Sequence, residues 1–178
     1  TGETTSDKEI ESFRSNVNIQ DVDNLLNGGY SLLSLDQSFG KLDLSGYQSD
    51  LVSDQSTSGA KTDGSYSKTY LQIFRLQRIV ENLEIQILGS AQFSNKNLDS
   101  SEKFSLGGIS GVRAYPSGEA SGDEGKKISY EIKYDASDYS IFSKTDMFFT
   151  VFYDYGNIKQ YKNLTGINLT TPNKYSLK

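Results

Sequence analysis

The stretch Leu83-Glu-Ile-Gln-Ile-Leu-Gly-Ser-Ala-Gln-Phe93 decides the fold. Leu83, Ile85, Ile87, Gly89, Ala91 and Phe93 occupy alternate positions, with Glu84, Gln86, Leu88, Ser90 and Gln92 between them. Successive side chains leave a strand on opposite sides, so a period of two marks a strand with two unlike faces. Outward from here the alternation returns twice. Ile128, Tyr130, Ile132 and Tyr134 alternate with Ser129, Glu131, Lys133 and Asp135. Met147, Phe149, Val151, Tyr153 and Tyr155 alternate with Phe148, Thr150, Phe152, Asp154 and Gly156. Two less regular runs, about 30–43 (Leu33, Leu35 and Phe39 on one face) and about 65–78 (Leu71 and Ile73), read as further strands. At least five strands are expected, near 30–43, 65–78, 83–95, 127–136 and 144–157, with no convincing amphipathic helix. One more strand is possible before Tyr30 and one after Asn163.

The first 29 residues are polar and irregular, and Asn27-Gly28-Gly29 reads as a turn or linker. The spacing Asp21-Val22-Asp23-Asn24 is a faint echo of a calcium loop, but the glycine and closing glutamate are missing, so a solvated loop is expected.

Composition narrows the class. The chain has 178 residues, 18 basic and 23 acidic side chains, a net charge of −5, and neither histidine nor cysteine. Disulfides, thiolate metal sites, cysteine nucleophiles, Ser-His-Asp triads and HExxH sites are thereby excluded. No catalytic residue, metal site or cofactor is implied. Scattered lysines on an acidic chain argue against nucleic acid. Ala, Val, Ile, Leu, Met, Phe and Gly together make up about 37% of the chain, against roughly 45–50% in a soluble domain. Serine fills 26 positions and aromatics 12%. The core is too lean for an ordinary soluble domain, yet the aromatics and the alternation argue against disorder. No run of ~20 apolar residues marks a transmembrane helix. No charged-then-apolar opening is present, so any signal peptide is expected outside this stretch.

The expected connections alternate in length: 44–64 long, 79–82 short, 96–126 long, 137–144 short. Antiparallel up-and-down strands then gather the long loops at one end and the tight turns at the other. Outer-membrane barrels have that asymmetry, with short periplasmic turns and longer external loops. The absence of cysteine suits a chain that crosses an oxidising periplasm. A soluble β-sandwich or β-helix domain also alternates, with its apolar stripes facing a core. In the barrel reading the odd residues 83–93, even residues 128–134 and odd residues 147–155 face lipid, while Glu84, Gln86, Glu131, Lys133 and Asp154 face a wet lumen. A barrel needs about eight strands, so residues 1–178 are expected to be part of a larger barrel. Exposed edges invite pairing between copies of such a segment.

The loop 96–126 is the most distinctive segment. Six of the 16 glycines lie between 107 and 125, and Arg113 is the last arginine of the chain. A phosphate-cradling loop is excluded because no Gly-Lys-Ser/Thr closes it. Leu, Val, Tyr and a lone Pro in the same segment favour a loop that folds inward and docks over one that floats. The run Phe104-x-Leu106-Gly107-Gly108-x-x-Gly111-Val112-Arg113-Ala-Tyr115-Pro116-x-Gly118-Glu119-x-x-Gly122-Asp123-x-Gly125 resembles the signature of haemolysin secretion/activation proteins of the ShlB/FhaC/HecB type. Phe152-Tyr-Asp154-Tyr-Gly156 is similar to the Phe-x-Asp-x-Gly strand motif of the wider superfamily. Arg75-Leu-Gln-Arg-Ile79 and Asn97–Phe104 support the likeness, which covers roughly 30–160. Ile109 stands where the family prefers proline.

The resemblance implies an outer-membrane transporter of two-partner secretion in a Gram-negative bacterium. Such a protein carries an unfolded exoprotein (a haemolysin, adhesin or contact-dependent toxin) through its lumen, and it is not an enzyme. Residues 1–178 would be a piece of the C-terminal transmembrane barrel, with its lumen loop at about 96–126 and the POTRA domains and closing strands outside this stretch. The implied partners are the exoprotein and outer-membrane lipid. A barrel-assembly factor or passive porin of the same superfamily, and a soluble binding domain, remain the competing classes. Arg113 and Asp154 are expected to form a salt bridge that latches the loop, because the strand period turns Asp154 inward and a guanidinium suits bidentate carboxylate binding.

Overall fold

A computed structural model describes residues 6–137, 146–169 and 172–178. Seven strands form one sheet in the order β1 (Glu9–Asp23), β2 (Gly29–Asp43), β3 (Gly64–Val80), β4 (Leu83–Ser94), β7 (Glu124–Asp135), β8 (Phe148–Lys159) and β9 (Lys174–Leu177). Every pair is antiparallel and joins consecutive sheet strands, and β1 does not pair with β9. The architecture is an open up-and-down meander. A two-stranded ribbon, β5 (Phe104–Ser105) with β6 (Ser121–Gly122), interrupts the β4–β7 connection.

The register gives each face one character. Ile19, Leu33, Ile73, Gly89, Ile128 and Tyr155 lie in a single row across six strands. One row nearer the tight turns, Ile87 pairs with Tyr130 and Tyr130 with Tyr153. The odd residues of β4, the even residues of β7 and the odd residues of β8 therefore share one face, here called outer. Phe13, Val17, Ile19, Phe39 and Val151 on it are exposed. No helix among the described residues is long and apolar enough to cross a membrane. The inner face carries Gln92, Ser129, Glu131 and Asp154, and the β4–β7 connection lies against it.

The further strand held possible before Tyr30 is present, and the solvated loop expected at Asp21–Asn24 is corrected, since Asp21 and Asp23 are paired strand residues. Glu9–Asp23 is a fifteen-residue strand, paired from Glu9↔Asp43 to Asp23↔Gly29. Its alternation is obscured because Ser15 and Asp21 interrupt the outer apolar residues. Its inner residues are held by polar rungs instead: Asn16 Nδ2 donates to Ser34 Oγ (3.1 Å) and Asp36 Oδ1 (3.0 Å), and Arg14 Nε donates to Ser38 Oγ (3.3 Å). Such cross-strand pairs stabilise a sheet without burial. Asp21 and Asp23 end this strand, and the Asp23 carboxylate receives Arg75 Nη1 at 2.5 Å. The β2–β3 connection also contains an eight-residue helix, α1 (Gln48–Gln55), none of whose residues is buried. A strand follows Asn163, as β9. The expected strand start at 144–145 and most of the 137–144 turn lie outside the described residues.

Candidate functional site

The glycine-rich loop leaves β4, forms the β5–β6 ribbon and closes a small ring between Leu106 and Tyr115. Val112 N donates to Leu106 O (2.7 Å), Gly111 N to Gly108 O (2.9 Å), Gly108 N to Tyr115 O (2.9 Å) and Tyr115 N to Val112 O (3.1 Å). Gly107 bridges Val112. The return leg contains an exposed turn in which Glu119 N reaches Pro116 O (3.3 Å), with Gly118 at φ 84°. Type II turns need that sign of φ at this position.

The ring is pressed onto the wall. Phe104, Leu106, Val112, Ala120, Ile158 and Leu177 form a buried cluster, with Tyr70, Tyr115 and Tyr175 packed against it. Leu106 is 0% exposed. Its place in the wall is opened by Gly156, where a Cβ would come within 2.6 Å of Leu106 Cδ2. Gly125, at the start of β7, makes room in the same way for the Phe104 ring.

Arg113 leaves this ring toward β7 and β8. Its Nε donates to Asp154 Oδ2 (2.9 Å) and its Nη2 to Asp154 Oδ1 (2.9 Å), while the Arg113 backbone N–H also reaches Oδ2 (3.0 Å). Nη1 donates to Glu131 Oε2 (2.7 Å) and Nη2 to Ser129 Oγ (3.0 Å). Ser129 Oγ donates in turn to Asp154 Oδ1 (2.6 Å). The guanidinium carbon stands 3.7 Å from the centroid of the Phe152 ring. Phe152, Asp154 and Gly156 are three successive inward positions of β8: one stacks on the arginine, one takes its charge, and one leaves space for the leucine seven residues before it. The side-on, two-bond contact uses the planar fork that a lysine lacks.

The base of the loop is pinned separately. Asp123, 0% exposed, accepts Leu98 N (3.1 Å) and Lys103 Nζ (2.7 Å) on Oδ1 and Lys162 N (2.8 Å) on Oδ2. A carboxylate so enclosed is tolerable because its lone pairs are taken. Gly122 beside it lies against the Lys159 carbonyl. Gln92 Nε2 donates to Glu102 O and Asp123 O, and Asn97 bonds Ala60 and Asn163, so the β2–β3, β4–β7 and β8–β9 connections form one knot. Asp99 caps the turn Ser100–Glu102. Burial alone would raise its pKa, but bonds from Ser101 and Lys8 outweigh that and hold it below the usual carboxylate value.

Sequence reasoning singled out Arg113, Asp154 and the loop motif. It did not assign Ser129, Glu131, Lys103, Asn97 or Gln92 to the site. Glu131 and Ser129 carried a usable signal, since they share the inward face of β7 at period two. Asn97 lies in the stretch that supports the family likeness, but its partners, 37 and 66 residues away, left no pattern in the sequence.

An open antiparallel wall, apolar outside and ion-paired inside to a folded-in glycine-rich loop, is the build of an up-and-down barrel segment. The chain belongs to the family described as haemolysin secretion/activation protein ShlB/FhaC/HecB, whose model matches residues 29–171. It is 34% identical over 143 residues to the heme/hemopexin transporter protein HuxB of Haemophilus influenzae, covering 79% of this chain and 24% of that protein. To HuxB of the Rd strain it is 46% identical over 74 residues, covering 42% of this chain and 13% of that protein. The chain thus spans a quarter or less of the length of these relatives. No solved structure matches.

Proposed function

We propose that this chain is wall and lumen loop of an outer-membrane pore that carries an unfolded exoprotein across in two-partner secretion, in a Gram-negative bacterium. It acts as a conduit and performs no covalent chemistry. The observation that carries this reading is the anchoring of the loop by Arg113 to Asp154 and Glu131 on the inner face. A loop so held occupies the space enclosed by the wall, where its position governs what passes.

The outer belt supports the membrane setting. Its apolar residues centre near Asn16 on β1, a level that reaches β8 at Ile158 through Asp36, Tyr70, Gln92 and Gly125. On β8 the belt centres near Phe152 instead. A drift of about six residues at ~3.3 Å over five strand spacings of ~4.8 Å is a tilt of roughly 40°, within the ~35–45° of membrane barrels. A flat bilayer cutting tilted strands produces such a diagonal belt. The relatives' description as heme/hemopexin transporters makes a haem- or hemopexin-related exoprotein the first cargo to try. In the full-length protein, Arg113→Ala should leave the barrel inserted while exoprotein release into the medium falls. Full release with the loop unlatched would reject the role of the loop.

A further inference from the structure

The outer face is not uniformly apolar, and its loop end has the features of a ligand site. We propose that it binds a phosphorylated, multiply acylated glycolipid of the outer leaflet, a proposal that rests on the membrane reading above. An apolar trough of about 350 Å³ runs along the face, lined by Leu71, Ile73, Gly89, Ala91, Ile128 and Tyr155. Position 91 carries only a methyl and position 89 no side chain, between larger neighbours on β3 and β7, and Ile73 leans over Gly89 to form one wall of the trough.

Directly toward the loops the surface turns cationic. Lys126 sits beside Ala91 in the register, at the mouth of the trough. Lys126, Lys159 and Lys174 line an adjoining cleft of about 560 Å³. Among the described residues the one acid lining it, Glu124, is taken by Lys162 Nζ at 2.5 Å and Lys159 Nζ at 3.9 Å. Lys126 and Lys174 are exposed and have no ion-pair partner among the described residues. Two free ammonium groups stand at the loop end and an acyl-sized apolar trough runs from them toward the belt. That is the order in which an anionic lipid presents phosphate and chain. Surface ammonium groups attract anionic headgroups. The long connections mark this end as external, which selects the outer leaflet and its phosphorylated glycolipid.

The experiment uses the full-length transporter in phosphatidylcholine nanodiscs, with bisphosphorylated lipid A, its dephosphorylated form and phosphatidylglycerol as probes. Lipid A should bind and the dephosphorylated form should not. Lys126→Gln with Lys174→Gln should weaken lipid A binding by roughly 10–30-fold, at about one surface charge each. Ala91→Leu, which fills the trough and leaves the charges, should weaken it as well. The folded barrel, read by its heat-modifiable gel mobility, should persist in both variants. Phosphate-independent binding, phosphatidylglycerol binding as tight as lipid A, or equal affinity in wild type and the double variant overturns the proposal alone. Failure of the protein to enter the nanodisc overturns the membrane reading and the proposal with it.

Discussion

Gly156 of β8 and Leu106 of the loop occupy each other's space: a Cβ at 156 would stand 2.6 Å from Leu106 Cδ2 and 3.3 Å from Val112 Cγ2. Leu106 cannot simply turn away, because it is fully enclosed by its cluster. Gly156→Ala should therefore loosen the docked loop at a cost of about 1–3 kcal/mol, the usual range for overpacking, and Gly156→Val should cost more. Faster proteolytic nicking of residues 107–118 in the folded barrel is the measurement. An unchanged nicking rate in the valine variant would show that the loop does not depend on this contact.

Arg113 and Asp154 should prove coupled in a double-mutant cycle on the full-length protein. Asp154 is 6% exposed, so Arg113→Ala leaves a nearly buried carboxylate with Ser129 as its remaining side-chain donor. Asp154→Ala is milder, since Glu131 still holds the guanidinium. A coupling of about 1–3 kcal/mol is expected for residues in one network, and Arg113→Lys should rescue little because a single ammonium replaces a planar fork. Loop protection in hydrogen exchange, read beside exoprotein release, checks this; additive losses would mean that the two act independently.

The two faces should respond unequally to charge. Ile87 lies on the outer face mid-way along β4, in one row with Tyr130 and Tyr153. Ile87→Arg should cost ~2–4 kcal/mol in barrel stability, as for a cation near the bilayer midplane. Glu131→Gln, on the opposite face, breaks one partly exposed ion pair while Asp154 still holds Arg113, and should cost about 1 kcal/mol or less. Folding titrations of both variants into lipid vesicles give the comparison, and equal penalties would reverse the facing.

Asp54 ties the end of α1 to the start of β3. Burial would raise its pKa, but bonds from Thr62 N (2.9 Å), Asp63 N (3.1 Å) and Thr62 Oγ1 (2.7 Å) outweigh that and hold it below its ordinary value. A carboxylate with a depressed folded pKa contributes stability above its unfolded pKa of about 3.9, and that contribution fades as pH falls through the lower folded value. The 44–63 connection should consequently loosen only in strong acid. Exchange rates at the Thr62 and Asp63 amides, followed downward from pH 6, should rise there in the wild type. Asp54→Asn should exchange fast at every pH.

Strand identity and facing were legible at 83–93, 128–134 and 147–155 because each has large apolar residues on one side and polar ones on the other, a local property of the chain. β1 was not, since its apolar side is broken by Ser15 and Asp21 and its other side is satisfied by rungs to Ser34, Asp36 and Ser38, which only the register discloses. The loop's importance was readable from its glycines, its single arginine and its likeness to a family signature. The sequence by itself thus determined an alternating sheet, its two faces and an inward-docking loop, because period and turn chemistry act between near neighbours. Tertiary structure alone decided that Asp123 gathers donors from 98, 103 and 162, that Glu131 shares Arg113 with Asp154, and that Lys126 and Lys174 flank one cleft. Those hydrogen bonds and ion pairs join residues up to 41 apart, and side chains so separated meet only once the strands have paired and the loop has docked.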